Sequence, residues 1–202
     1  MTPTPYPVTR HFQRYEHVIE QGYVTDKLVL DVGCSFGVGT GMMGYFAKAV
    51  IGIDPCLKAA FENEYKWFAP SYSFPGKGIQ SIEFYPVSWE NINVKPTQLD
   101  VVVAMEIIEH LKNPEEFLEF AAKVGTHLFL STPLARITGP TDNPAHIKEY
   151  SHKDLISLVS KKFKVLETAY QTADLRIVSA AKSNGSSIAR GHVVQMLWCK
   201  RK

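Results

Sequence analysis

Six residues, Lys27 to Val32 (KLVLDV), constrain the fold of this 202-residue chain more than any other stretch. A nearly unbroken apolar run of that length is the mark of a parallel strand buried on both faces. It runs straight into Gly33, Gly37, Gly39 and Gly41, so a buried strand opens into backbone with few side chains. Such a segment suits a tight turn and the close approach of another group to the main chain.

The remaining pattern repeats the theme. Ala49–Ile53, Ser81–Tyr85, Leu99–Ala104, Thr126–Ser131, Phe163–Tyr170 and His192–Cys199 read as six further strands. Between them, helical periodicity marks Thr9 to Gln21, Met42 to Lys48, Leu57 to Phe68, Asn113 to Val124 and Ser151 to Ser160. Pro114 suits a first helical turn, and Ser151 with Asp154 three residues later approximates a capping box. Strands alternating with helices imply βαβ units. The expectation is an α/β, doubly wound, mostly parallel seven-stranded sheet with helices on both faces and the last strand antiparallel. One domain spanning 1–202 is expected, with a candidate lid at 133–150, a loop long enough to have a role of its own.

Charge and cysteine usage narrow the function. The net charge is only +2 and no long basic run occurs, which speaks against a nucleic-acid arm. Cys34, Cys56 and Cys199 are scattered and include no CxxC pair, so neither a disulfide framework nor a cysteine zinc site is expected. The first residues lack the apolar segment of a signal peptide, and no run approaches the ~20 apolar residues of a membrane span. A cytoplasmic protein without a membrane partner is the expectation.

In a doubly wound sheet, ligands lie beyond the carboxyl ends of the strands. Here those ends carry Asp31-x-Gly33-x-x-x-Gly37-x-Gly39 after strand one and Asp54 after strand two. A helix N-terminus past the glycines suits a carboxylate or phosphate, and a carboxylate at position 54 can accept both hydroxyls of a ribose. A dinucleotide-type G-x-G-x-x-G also occurs, at Gly39, Gly41 and Gly44, but it starts seven residues past Val32. Asp54 then follows its first glycine by 15 residues rather than the ~20 of the dinucleotide fingerprint.

"VLDVGCSFGVGTG", "IGIDP", "LDVVVAMEIIEHLKNPEEFL" and "LFLSTP" together resemble the class I S-adenosylmethionine-dependent methyltransferases, over roughly residues 8 to 170. The resemblance implies that S-adenosylmethionine is the cofactor. It implies that Asp31, Gly33, Cys34, Ser35 and Gly37 hold its methionine part, and that Asp54 and Pro55 hold its ribose. Ser88 and Trp89 would flank the adenine, while Met105 and Glu106 would face cofactor and acceptor. Ser35 stands where the family usually has the second glycine of G-C-G, and a serine there can cap the next helix.

Glu106, Glu109 and His110 form E-x-x-E-H, a spacing that gathers them on one helix face, with His146 in the later loop. Two carboxylates and imidazoles can bind a divalent cation or supply a general base. The string with a later histidine resembles the metal site of small-RNA 3′-end 2′-O-methyltransferases. It also resembles E-x-x-E-H in small-molecule O-methyltransferases of the ubiquinone pathway. Methyl transfer from a sulfonium needs mainly alignment; an alcohol or phenol acceptor must also lose a proton, which points to His110 or His146, with Glu106 beside them. The expected activity is O-methylation of a small molecule or sugar. The alternatives are a metal-dependent RNA 2′-O-methyltransferase, a non-catalytic cofactor-binding or scaffold subunit, and a nicotinamide-dependent reductase.

Overall fold

The computed structural model of the protein describes residues 8–57, 81–135, 143–179 and 192–202. In chain order these form α1 (Val8–Glu20), β1 (Leu28–Val32), α2 (Val38–Met43), β2 (Ala49–Ile53), β3 (Ser81–Tyr85) and β4 (Leu99–Met105). A single 3₁₀ turn (Ile108–His110) follows, then α3 (Pro114–Val124), β5 (Gly125–Pro133), α4 (His152–Val159), β6 (Phe163–Thr172), β7 (Ile177–Ser179) and β8 (His192–Arg201).

The strands make one sheet in the order β3-β2-β1-β4-β5-β8-β6-β7. β1 to β5 are parallel, and β8 runs antiparallel between β5 and β6. The expected seven strands are all present in an α/β sheet; the eighth, β7, is a three-residue addition paired antiparallel to β6. Its hairpin turn contains no glycine or proline, so no turn signal announces it. Leu175 takes the left-handed conformation instead, at φ +71°.

Alternation along each strand divides the core between the two sheet faces. Leu30, Val102 and Leu128 pack with Phe117, Leu118 and Ala121 of α3 and Leu155 of α4. Val29, Val101, Val103 and Phe129 pack on the other face with Tyr15 and Val18 of α1 and Met42 and Met43 of α2. The capping reading of α4 holds: Ser151 accepts from the Asp154 amide. α2, in contrast, starts at Val38 rather than Met42, because Gly37 at φ +74° turns the chain into the helix four residues earlier than the periodicity suggests. Expectations for 58–80, and for 136–142 of the candidate lid, lie outside the described residues. No described helix is long and apolar enough to cross a membrane.

The strand order reverses direction between β1 and β4, the point at which an α/β sheet opens a crevice.

Candidate active site

Beyond β1 the chain turns through Gly33, at φ +72°. The Gly33 and Cys34 amides both donate to the carbonyl of Ile53, at 2.8 and 3.1 Å, which ties the glycine loop across the end of β2. Ser35 is also left-handed, at φ +50°, and is held there by its amide, which donates to Oδ2 of Asp54 at 3.0 Å. The other Asp54 oxygen accepts from the Cys56 amide at 2.7 Å. The second acid is thus aimed at the loop of the first strand. The serine acts through its main chain, not as the helix cap: α2 is capped by Gly37 with no side-chain bond.

The bareness of the loop serves the protein's own packing as well as the crevice. A Cβ on Gly39 would stand 2.0 Å from the Tyr15 ring, and one on Gly33 would stand 1.9 Å from Cδ1 of Ile107. Asp31, expected to hold the cofactor, is wholly buried behind this packing. Its carboxylate accepts from the hydroxyls of Thr40 (2.6 Å) and Tyr15 (3.2 Å), so it pins α2 and α1 to the sheet.

Burial pushes the Asp31 carboxyl up to about 7. A folded-state value above the unfolded one makes its contribution full below the unfolded value and lost as pH rises through the folded one. Stability therefore falls from about pH 4 to above pH 7 on account of this group. Asp31→Asn lacks that loss, so denaturation at pH 5.5 and 8.5 is expected to show the variant gaining about 2 kcal/mol on the parent across the interval. Parallel curves for the two proteins would contradict the assignment.

The crevice itself is a cleft of about 580 Å³ between α1, the glycine loop and the segment after β4. Its walls include Gly33, Cys34, Ser35, Asp54, Met105, Glu106, Glu109, His110 and His146, together with Phe12 and Tyr15 from α1. At the end of β4 the backbone breaks sharply, with Glu106 at φ +57°. This turn, and the 3₁₀ geometry after it, undo the single helix face that E-x-x-E-H suggests. Glu106 points to α1: its Oε1 pairs with Nη1 of Arg14 at 2.7 Å and accepts from the Ser131 hydroxyl at 3.1 Å. Glu109 turns the other way, is fully buried, and accepts from the Thr132 hydroxyl at 2.8 Å through Oε2. Its Oε1 has no hydrogen-bond partner among the described residues. Burial, then the neighbouring Glu106 charge, raise the Glu109 carboxyl to about 8.

His110 and His146 meet edge to face with ring centroids 5.0 Å apart. Nδ1 of His110 lies 2.9 Å from the carbonyl of Ala145, which can only accept, so Nδ1 carries a proton and Nε2 of the neutral ring keeps a lone pair. Nδ1 of His146 likewise donates to Glu149 at 3.0 Å, and its Nε2 receives the Asn143 amide at 2.9 Å. The Ile147 and Lys148 amides donate to the Glu109 carbonyl at 2.8 and 3.1 Å, anchoring this loop to the 3₁₀ turn. One ligand atom from each of Glu109, His110 and His146 lies within 4.8 Å of the others. Glu106 does not belong to that group, because Arg14 holds it.

Of the expected cofactor residues, Gly33, Cys34, Ser35, Asp54, Met105 and Glu106 line the cleft; Asp31, Gly37, Pro55, Ser88 and Trp89 do not. Ser88 accepts from the Asn91 amide at 3.0 Å. Trp89 packs on Phe117 and Phe120 of α3, each at 5.6 Å, because that apolar surface buries its ring. The residues that sequence reasoning missed are Arg14, Ile107 and Thr132; no local signal marks a buried arginine.

The comparisons with known proteins agree with this geometry. A family model described as a methyltransferase domain matches residues 14–180. The mitochondrial ubiquinone biosynthesis O-methyltransferase of Rattus norvegicus is 34% identical over 112 residues, covering 52% of this chain and 30% of the relative. The corresponding enzyme of Paraburkholderia phymatum is 28% identical over 123 residues, covering 59% and 50%. The chain thus matches about a third to half the length of these relatives. Among solved structures, the small RNA methyltransferase HEN1 superposes with a TM-score of 0.69 at 17% identity, covering all of this chain and 26% of that one. The magnesium protoporphyrin IX methyltransferase of Synechocystis PCC 6803, solved with bound SAM, gives 0.64 at 16% identity and covers 96% and 80%. At such identities the structures establish a shared fold.

Proposed function

We propose that this chain, which belongs to the methyltransferase domain family, uses S-adenosylmethionine to methylate a hydroxyl oxygen of a small molecule. The observation that carries the reading is the pairing of two features in one cleft: Asp54 at the end of β2, bonded to the glycine loop, and an imidazole-carboxylate cluster from the 3₁₀ turn after β4 and His146. The O-methyltransferase relatives support oxygen as the acceptor atom.

The residues fit an adenosyl cofactor. Asp54 keeps lone pairs for a ribose diol beyond its two amide bonds, and the glycine loop leaves the cleft wall thin. Bound there, the cofactor would supply a methyl group already activated on sulfur. The protein's share is then alignment and proton removal. Met105 and Ile107 give an apolar wall that excludes water. His110, oriented by Ala145, lines the cleft with Nε2 free and would take the proton of an acceptor hydroxyl there.

The same cluster favours a divalent cation as an aid. Oε1 of Glu109 lacks a partner among the described residues, and Glu149 behind His146 is the carboxylate–histidine arrangement that orients metal ligands. A cation held by Glu109, His110 and His146 would take the Nε2 lone pairs of both rings, displacing the Asn143 amide from His146 and replacing His110 as the base, and would acidify the acceptor hydroxyl itself.

The test measures S-adenosylhomocysteine release with panels of phenols, alcohols and amines, with and without Mg²⁺ or Mn²⁺. Turnover with hydroxyl acceptors alone is expected. His110→Ala is expected to lower kcat by about 10²–10⁴-fold while cofactor affinity stays within twofold. Methylation of amines only would sink the oxygen reading. Label appearing only in the 3′-terminal nucleotide of a short RNA with Mn²⁺ would replace the small molecule with RNA.

A further inference from the structure

We propose that the groove between α1 and the β6–β7 hairpin docks an extended, basic peptide segment of a partner protein, with lysine or arginine at every second position. This site is independent of the methyl-transfer reading. The groove measures about 660 Å³ and shares no lining residue with the active cleft. α1 separates the two: Phe12 and Tyr15 line the cleft, whereas Gln13, His17 and Glu20 line the groove.

The base of the groove is apolar. Phe129 of β5 and Met196 of β8 lie buried beneath it, and half-buried Ile177 of β7 lines the hairpin side. Half-buried Tyr23 and Trp198, stacked ring on ring at 4.1 Å, add an aromatic wall. The rim is acidic. Glu16 and Glu20 stand on α1, Glu167 on β6 and Asp174 in the hairpin turn, against one guanidinium among the described lining residues, that of Arg176. Arg176 is bonded to Asp174 at 2.7 Å, which leaves three carboxylates. Among the described residues Glu16, Glu20 and Glu167 form no ion pair; Glu167 accepts from the Tyr23 hydroxyl at 2.8 Å. Burial lowers the His17 pKa below its ordinary value, so that ring adds no cation at neutral pH.

An apolar base under an acidic rim is complementary to a cation on an apolar stem. Lysine and arginine have that form: their methylene stems pack on apolar surface while their heads reach polar partners. A metal ion does not fit the groove. Among the described residues, the group of three or more acids or imidazoles close enough to share an ion is Glu109, His110 and His146, in the cleft. The rim charges are spread, so those of the occupant must be spread as well. Glu16 and Glu20 lie four residues apart on α1, about 6 Å along its axis. Alternate side chains of an extended chain repeat at about 7 Å. Two basic residues at i and i+2 of a peptide lying along α1 therefore meet both carboxylates, and the opposite wall presents Glu167 to the same segment.

The experiment follows the fluorescence anisotropy of a labelled peptide that alternates arginine with alanine, titrated with the whole chain at constant ionic strength. Saturable binding is expected, and none of a peptide with glutamate in place of arginine. Glu20→Gln is expected to weaken binding at least threefold, and Glu16→Gln with Glu20→Gln at least tenfold. Glu115→Gln with Glu119→Gln removes two charges from α3, remote from the groove, and is expected to leave binding within twofold. Absence of binding by the arginine peptide, or equal weakening by the two double variants, overturns the docking site. Displacement of the peptide by an equal concentration of spermidine gives the groove to a small polyamine and overturns the peptide.

Discussion

Replacing Arg14 with alanine is expected to cost about 3–5 kcal/mol of stability, the usual result of breaking one side of a buried ion pair. The guanidinium is 2% exposed and reaches from α1 across the cleft to Glu106 at 2.7 Å and Ser131 at 3.2 Å. Its loss leaves the Glu106 carboxylate beside the buried Glu109 without that cation. The left-handed backbone at Glu106 makes the loss worse, since that conformation persists only while its surroundings hold it. Removing both charges together, as Arg14→Met with Glu106→Gln, is expected to recover most of the stability, because two neutral groups need no compensation. Urea denaturation of the three proteins measures this. An Arg14→Ala protein within 1 kcal/mol of the parent would show that the pair contributes little.

The pair also marks where sequence reasoning stops. The strands were legible because burial on both faces writes itself as apolar runs such as LVLDV and LDVVVA. Asp54 was legible because it ends a strand beside the glycine loop, and the loop's first residues are fixed by backbone geometry at Gly33 and Gly37. What was hidden is tertiary. E-x-x-E-H has helical spacing, but the left-handed turn at Glu106 sends its two carboxylates to different partners, 25 and 23 residues away at Ser131 and Thr132. Asp31 fits a cofactor contact by position, and only the rings and hydroxyls of α1 and α2 around it show that it holds the protein together. Trp89 lies against Phe117 and Phe120 on the apolar face of α3, a contact that no local pattern announces. A contact between residues as far apart in the chain as Arg14 and Ser131, 117 positions, leaves no local trace in a single sequence.

The largest effect on binding belongs to Asp54. A carboxylate accepting from two ribose hydroxyls makes two charge-assisted hydrogen bonds, each worth about 1.5–3 kcal/mol. Asp54→Ala is therefore expected to weaken S-adenosylhomocysteine binding by about 100-fold or more. Asp54→Asn, which keeps one acceptor oxygen for the Ser35 amide, separates loop support from ribose recognition and is expected to fall between the two. Calorimetric titration of the parent and Asp54→Ala proteins with S-adenosylhomocysteine, alongside NAD, is the direct measurement. The predicted result is one saturable site for S-adenosylhomocysteine in the parent, its near loss in the variant, and no site for NAD. Equal binding by both proteins, or NAD binding in place of S-adenosylhomocysteine, would contradict it.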